Sequence, residues 1–408
     1  MKKRVLLIVC DGLGDRPIRK LEGRTPLQAA TKENLDWFAT QGACGLLDLI
    51  SPGVCPGSDT AHLALFGYDP SQVYTGRGPF EAAGVGMEVR RGDVALRCNF
   101  ATVDEERRVL DRRAGRIREG TRELAEAIDG MEIDGVVTHF KEGTEHRGAL
   151  LLRGEGLDPR ITDGDSHEIG APVLEVKPLV SQAEKTAHVV NEFMSRAAEA
   201  LSDHPVNLTR RGQGLPPANF ILPRGAGKFP NIPLVSEKWG LRFAAIAGVA
   251  LIKGICRSVG MEVLDVKGAT GGLDTDIEAK IEAAMRALEE YHVVVVNIKA
   301  PDVAGHDRKP GLKTEVVERI DRSLGMLREG IQEDWIVAVT ADHSTPCETG
   351  DHSADPVPLL VFGDGVRRDD VVTFDEISVA VGGLGRLRGV DLMPLLIDLA
   401  NRSEKFGV

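Results

Sequence analysis

Residues 335–356 read WIVAVTADHSTPCETGDHSADP, and this stretch decides the fold class. Trp335 to Val339 is apolar and rich in β-branched residues, the composition of a strand buried on both faces. It then breaks off into Asp342, His343, Asp351 and His352. A buried strand does not end in four ionisable groups unless something binds them, because clustered carboxylates repel one another and partly protonate unless a cation holds them together. Ligands of open parallel sheets sit beyond the carboxyl ends of the strands. The stretch therefore predicts an α/β sheet whose rim carries a metal site.

The same pattern recurs elsewhere in the chain. VLLIVC at 5–10 runs into Asp11, and VVVVNI at 293–298 runs into KAPDVAGH, which supplies Asp302 and His306. With PLLVF at 358–362 these runs read as four buried parallel strands. Between them, DTDIEAKIEAAMRALEEY puts Ile277, Ile281, Met285 and Leu288 on one helical face, and KTEVVERIDRSLGMLREGI does the same with Ile320, Leu324, Leu327 and Ile331. Ten histidines in 408 residues put about one in the window 306–352, yet it holds three. Carboxylate and neutral imidazole ligands suit Mn, Zn or Co and admit Mg, and two divalent ions would need about this many ligands.

Near the N-terminus, Thr25 and Pro26 open a helix and Gly42 terminates a second. In CPGSDTAH, at 55–62, Ser58 is either an ordinary helix cap or a nucleophile at a helix N-terminus, where backbone N–H groups favour a phosphoryl group. The middle third differs in character. It holds the arginine-rich ERRVLDRRAGRIR, read as an exposed face, the capping-box pattern SQAE at 181–184 and the loop GQGLPPANFILPRGAG. We read 91–244 as a smaller α/β (α+β) domain inserted into a discontinuous core of 1–90 and 245–408. RGAGKF at 224–229 is no phosphate-binding loop, since Leu222 stands where its first glycine belongs.

The net charge of −12 argues against a nucleic-acid or anionic-membrane surface, so an anionic ligand must be captured locally. Six scattered cysteines without a C-x-x-C pair point to a reducing cytoplasm. The opening MKKRVLLIVCDG stops being apolar at Asp11, too soon for a signal peptide, and no run reaches the ~18 residues of a membrane span. A homo-oligomer is left open.

Together VCDGLGD, GSDTAH, PDVAGH and ADHSTP…GDHS resemble the metal-dependent alkaline phosphatase superfamily, and within it the archaeal-type 2,3-bisphosphoglycerate-independent phosphoglycerate mutases; TPLQAATKENLD and FKEGTEHRGALLLRG match these as well. The resemblance implies an alkaline-phosphatase-like core with a mostly parallel sheet flanked by helices, and two divalent metal ions without 2,3-bisphosphoglycerate. It puts Asp302, His306 and His352 on one metal, and Asp11, Asp342 and His343 on the other, with Ser58 as phosphoryl acceptor touching the second. It also implies substrate contacts from His146, Arg147, Asp163, Asp165 and Arg224 in the insert and from Lys253 in the core. The substrate would be phosphoglycerate. Another phosphomutase or a phosphomonoesterase of the same superfamily is the alternative, and a metal-stabilised binding protein the alternative outside it. A sulfatase is disfavoured because CPGSD lacks the arginine of C-x-P-x-R.

Overall fold

The computed structural model describes residues 2–405 and Gly407. Along the chain the strands are β1 (Arg4–Cys10), β2 (Ala43–Asp48), β3 (Val94–Val103), β4 (Val109–Asp111), β5 (Met131–Ile133), β6 (Val136–Glu142), β7 (Arg147–Arg153), β8 (Phe220–Lys228), β9 (Phe243–Ile246), β10 (Glu262–Val263), β11 (Val293–Ile298), β12 (Trp335–Thr340), β13 (Val357–Gly363) and β14 (Gly385–Arg388). They form two separate sheets in two compact units, Met1–Val73 with Pro233–Val408, and Tyr74–Ile232.

The core sheet has eight strands in the order β10-β9-β11-β1-β12-β13-β2-β14. β1, β11 and β12 are buried along almost their whole length, which is why they read as unbroken apolar runs. β11, β1 and β12 run parallel, as do β9, β10 and β11, and β14 with β2. β13 does not follow the expectation of a parallel strand: it is antiparallel to both β12 and β2. A parallel return needs a crossover, usually a helix. The connection 341–356 is instead a helix-free loop filled with the Asp and His residues of the opening stretch.

Capping decides several helix starts. The Thr25 hydroxyl accepts from Gln28 N at 3.0 Å while Gln28 Oε1 accepts from Thr25 N at 3.1 Å, fixing the helix Pro26–Ala29. The SQAE segment behaves otherwise. It forms a 3-10 turn, Ser181–Ala183, ahead of the helix Glu184–Ser202, and no side chain caps that helix. Ser181 Oγ bonds the neighbouring Gln182 side chain instead.

The inserted unit is an antiparallel sheet, β4-β3-β7-β6-β5 with β8 on the other edge of β3. Its own core gathers Phe100, Phe140 and Phe193, with rings 5.5 and 6.0 Å apart along that chain of contacts. Its bounds, 74 and 232, both fall earlier in the chain than the expected 91 and 244. The helix Gly78–Gly84 belongs with the insert because Ala82 packs on Ala95, Ala149 and Leu151. At the other junction Pro233 O accepts from Tyr68 Oη at 2.7 Å and Val235 N donates to Val259 O at 2.8 Å, which ties that segment to the core. Among the described residues no helix is long and apolar enough to cross a membrane, and six cysteines are free.

Candidate active site

Adjacent parallel strands deliver the site. β1 hands over to Asp11, β11 to Lys299 and the helix Ala300–His306 that carries Asp302, and β12 to Asp342 and His343. The register keeps these ends level, since Val9 opposes both Asn297 and Thr340. β2 runs in the sense of β12 and leads through 49–57 into the helix Ser58–Leu65. Gly12 has φ +67°, and a Cβ there would lie 2.6 Å from Asp302 Cβ, so only glycine lets the turn after β1 close on that helix.

Ser58 is the first residue of its helix rather than its cap. Its Oγ lies 3.1 Å from His343 Nε2. Asp302, His306 and His352 bring one ligand atom each within 4.8 Å of one another, and so do Asp11, Asp302 and His343. Asp342 stands beside the second group: its Oδ1 accepts from Gly12 N at 3.1 Å, while the buried Oδ2 has no hydrogen-bond partner and lies 3.4 Å from His343 Nε2.

The histidines share one orientation. Nδ1 of His306 donates to Gly350 O at 2.8 Å and Nδ1 of His352 to Pro56 O at 3.1 Å, while His343 Nδ1 faces Thr345 Oγ1 at 3.0 Å. A carbonyl only accepts, so Nδ1 carries a proton in the first two, which leaves Nε2 as the nitrogen able to offer a lone pair to a cation. Those Nε2 atoms point at the carboxylates, 3.3 Å from Asp302 Oδ1 for His306 and 3.5 Å for His352. Rings held by outer hydrogen bonds with the other nitrogen turned inward are the arrangement of metal-binding histidines.

Charge gives the same answer. Asp11 and Asp342 are fully buried and Asp302 is 2% exposed. Burial, and then the Asp342 charge, push the Asp11 carboxyl well above its ordinary range. Burial acts the same way on Asp302 and Asp342, but their cationic and imidazole neighbours outweigh it and hold both low. Burial pushes His343 down to about 4, so its ring is neutral. The orphaned Asp342 oxygen, the inward lone pairs and the surplus of buried negative charge all fit a divalent cation.

Several residues here were not singled out in the sequence. Lys299 Nζ lies 2.7 Å from Asp11 Oδ1 and 2.8 Å from Asp302 Oδ2. Asn297 Nδ2 donates to Asp11 Oδ2 at 3.1 Å, and the buried His62 donates from Nδ1 to Ser58 O at 2.7 Å. Lys299 stands inside KAPDVAGH, but a lysine after a strand ordinarily reads as solvated. Beneath the ligands, the fully buried Lys313 Nζ donates to Gly14 O at 2.9 Å, Asp15 Oδ2 at 2.9 Å and Thr345 O at 3.0 Å, bracing the loops that follow β1 and β12.

In the insert the candidate residues fall into two sorts. Asp165 is buried and takes a bidentate pair from Arg112, Nε at 2.9 Å and a terminal nitrogen at 2.6 Å, with Arg224 3.9 Å away. Arg112 is thus the exception within the arginine-rich run, whose other arginines are exposed. Asp163 is exposed and accepts from Gly225 N at 2.8 Å, a loop-shaping role. Arg147 is exposed; His146 is buried, its Nδ1 lacks a hydrogen-bond partner, and burial, then Arg147, push it down to about 4. Arg224 stands directly opposite Arg97 in the β3–β8 register, and Nε of each is buried without a hydrogen-bond partner, although Glu81 Oε1 lies 3.6 Å from that of Arg97. Burial pushes Arg97 down to about 10 and lowers Arg224 as well. Like charges in directly opposed positions destabilise a sheet. Lys253, in the core, pairs with the exposed Asp265 at 3.3 Å and does not join the carboxylate cluster.

A profile of the family described as 2,3-bisphosphoglycerate-independent phosphoglycerate mutase matches residues 39–207. Over 412 residues the chain is 51% identical to a protein named 2,3-bisphosphoglycerate-independent phosphoglycerate mutase 1 from Methanocaldococcus jannaschii, with 100% of each covered. A Methanopyrus kandleri protein carrying the same description is 52% identical over 417 residues, covering 100% of this chain and 99% of that one. Among solved structures, a Pyrococcus horikoshii protein has a TM-score of 0.87 at 41% identity, with 100% of both chains covered. The cofactor-independent phosphoglycerate mutase of Thermoplasma acidophilum has a TM-score of 0.75 at 41% identity, with 98% and 100% covered.

Proposed function

The chain belongs to the family of 2,3-bisphosphoglycerate-independent phosphoglycerate mutases, and from this premise we infer that it interconverts 3-phosphoglycerate and 2-phosphoglycerate through a phosphorylated Ser58. The observation that carries the reading is the position of Ser58 Oγ, 3.1 Å from His343 Nε2 at the first turn of a helix, beside the buried carboxylates.

Two divalent cations, one held by Asp302, His306 and His352 and the other by Asp11, Asp342 and His343, would acidify the serine hydroxyl and neutralise the transferring phosphoryl group. The chain's own residues do the rest. Ser58 Oγ forms a bond to phosphorus as the bond from phosphorus to the glycerate 3-oxygen breaks, and the proton lost by the serine ends on that oxygen. The glycerate then presents its 2-hydroxyl, which takes the phosphoryl group and returns its proton to Ser58. The positive end of the helix Ser58–Leu65 favours the anion throughout.

The insert is the source of substrate cations. Arg97 and Arg224 oppose each other, each with a buried Nε that lacks a hydrogen-bond partner and only a loose acidic neighbour, Glu81 at 3.6 Å and Asp165 at 3.9 Å, and a carboxylate or phosphate of the substrate would add the missing acceptor. Arg112 holds Asp165, which steadies Arg224. Arg147, opposite Asn99 in the β3–β7 register, and His146 just before it are further substrate contacts of the insert; separately, in the core, Lys253 can exchange its exposed partner Asp265 for an anion. The free cysteines support a reducing, cytoplasmic setting.

The test supplies 3-phosphoglycerate and no 2,3-bisphosphoglycerate to the protein loaded in turn with Mn, Co, Zn and Mg. 2-Phosphoglycerate is expected as the product. Free phosphate as the main product, or no turnover with any of the four metals, refutes the reading.

A further inference from the structure

Lys299 belongs to neither ligand group, yet it touches both. Its ammonium bonds Asp11 Oδ1 at 2.7 Å and Asp302 Oδ2 at 2.8 Å, and its Nζ lies 3.5 Å from Ser58 Oγ. Two of its protons are therefore committed to carboxylates and the third faces the hydroxyl. Its side chain is only 18% exposed and is ion-paired to both carboxylates. A lysine that only pinned the helix Ala300–His306 to β1 would be served as well by carboxylates with no other task. Here both acceptors are wanted by metal.

A fixed ammonium beside a divalent cation weakens that cation's binding, because like charges repel strongly where water is scarce. Keeping it there needs a compensating role, and the charge count supplies one. Within the metal centre itself, apart from the cations proposed for the rest of the substrate, three buried carboxylates, two divalent cations and a phosphoryl dianion sum to one positive charge short of neutral. The ammonium is that charge.

We propose that Lys299 is a catalytic residue, the third cation of the centre, which neutralises the phosphoryl group on Ser58 at a cost in metal affinity. The proposal rests on the reading of Ser58 as phosphoryl acceptor. It assigns the lysine a role that makes an unusual demand: removing it must improve one property while ruining another.

The test titrates manganese(II) by calorimetry into the chelator-stripped full chain, as wild type, Lys299→Met and Lys299→Arg, each checked for folding by circular dichroism. The Met variant is expected to bind manganese about tenfold more tightly, having lost a like charge, while its turnover of 3-phosphoglycerate at saturating metal falls about 100-fold, the usual cost of losing one preorganised charge at a reacting oxygen. The Arg variant keeps wild-type manganese affinity and regains part of the turnover. A structural pin predicts the opposite, since carboxylates that lose their anchor hold metal less well. Unchanged or weaker manganese binding in Lys299→Met overturns the proposal, and so does tighter binding with undiminished turnover. If the Met variant does not fold, Lys299→Gln removes the same charge and is judged by the same two numbers. The manganese titration is independent of substrate, so a wild-type protein inert toward 3-phosphoglycerate would count against the mutase reading while the affinity shift still judged the lysine.

Discussion

Replacing Lys313 by methionine keeps the side chain's length and removes its charge from a site where both partners of the ion pair are fully buried. The Asp15 carboxylate keeps its bonds from Arg16 N and Cys347 N, but its ammonium is gone, and the carbonyls of Gly14 and Thr345 lose a charged donor. Breaking a buried pair from one side costs about 3–5 kcal/mol, chiefly because a charge is left uncompensated. The two surviving backbone donors to Asp15 place the expected loss near the middle, about 4 kcal/mol. At roughly 2–4 °C per kcal/mol for a unit of this size, the melting transition of the core should fall by about 8–16 °C. The assay is thermal unfolding followed by circular dichroism with excess chelator, so that metal linkage does not enter. Adding Asp15→Asn should restore about 2 kcal/mol by removing the stranded charge, a coupling that only residues in contact show. A loss below about 1 kcal/mol, or strictly additive effects in the double variant, would mean that Lys313 is not the brace its three acceptors indicate.

Other perturbations separate the remaining roles. Ser58→Ala should abolish turnover and leave the melting temperature nearly unchanged, because Ser58 does not cap its helix; activity within about tenfold of wild type refutes its role as acceptor. His352→Ala should lower metal stoichiometry at one group and spare the other, and an unchanged metal content contradicts the ligand assignment. Arg224→Ala should raise the ratio of free phosphate to 2-phosphoglycerate as glycerate escapes before the phosphoryl group returns; a slower enzyme with the same ratio removes Arg224 from substrate retention. Burial pushes Glu376 up to about 7, so the folded state binds its proton more tightly than the unfolded one. Its stabilising effect is complete below the ordinary glutamate range near 4.5 and is lost as pH rises through about 7. Wild type should therefore lose up to about 3 kcal/mol relative to Glu376→Gln across that window, read from denaturant melts at several pH values; parallel curves would refute it.

The core was legible because its chemistry sits where patterns change. A buried strand that runs into Asp11 or Asp342, or through a short helix into Asp302, reads as a cation site, and the parallel register brings these carboxylates together. Strand direction was not legible. A strand covered on both faces is apolar whichever way it runs, so 358–362 looked like its parallel neighbours until its pairing with Ala43–Asp48 was known. The insert's arginine pair was hidden for a related reason: Arg97 and Arg224 are far apart in sequence and meet only through the β3–β8 register. Its first limit could not be drawn more sharply because the helix Gly78–Gly84 has a small, apolar composition like the core segments before it, and its packing on Ala95 and Leu151 is what joins it to the insert. Ser58 could not be told from a cap, since both uses ask for a small hydroxyl at the same spot.

The splitting of the core has a consequence for how the chain is born. β1 lies between β11 and β12, and its first partner, Val293, follows its last residue by about 280 positions. At about 5–20 residues per second, a ribosome needs roughly a quarter of a minute to a minute to deliver β11. Throughout that interval VLLIVC is an unpaired, sticky strand template. The insert, whose strands pair within 94–228, is complete long before the core can close. The growing chain therefore carries a finished domain behind an unfinished one, and the yield of active protein depends on shielding its first ten residues until the last third emerges.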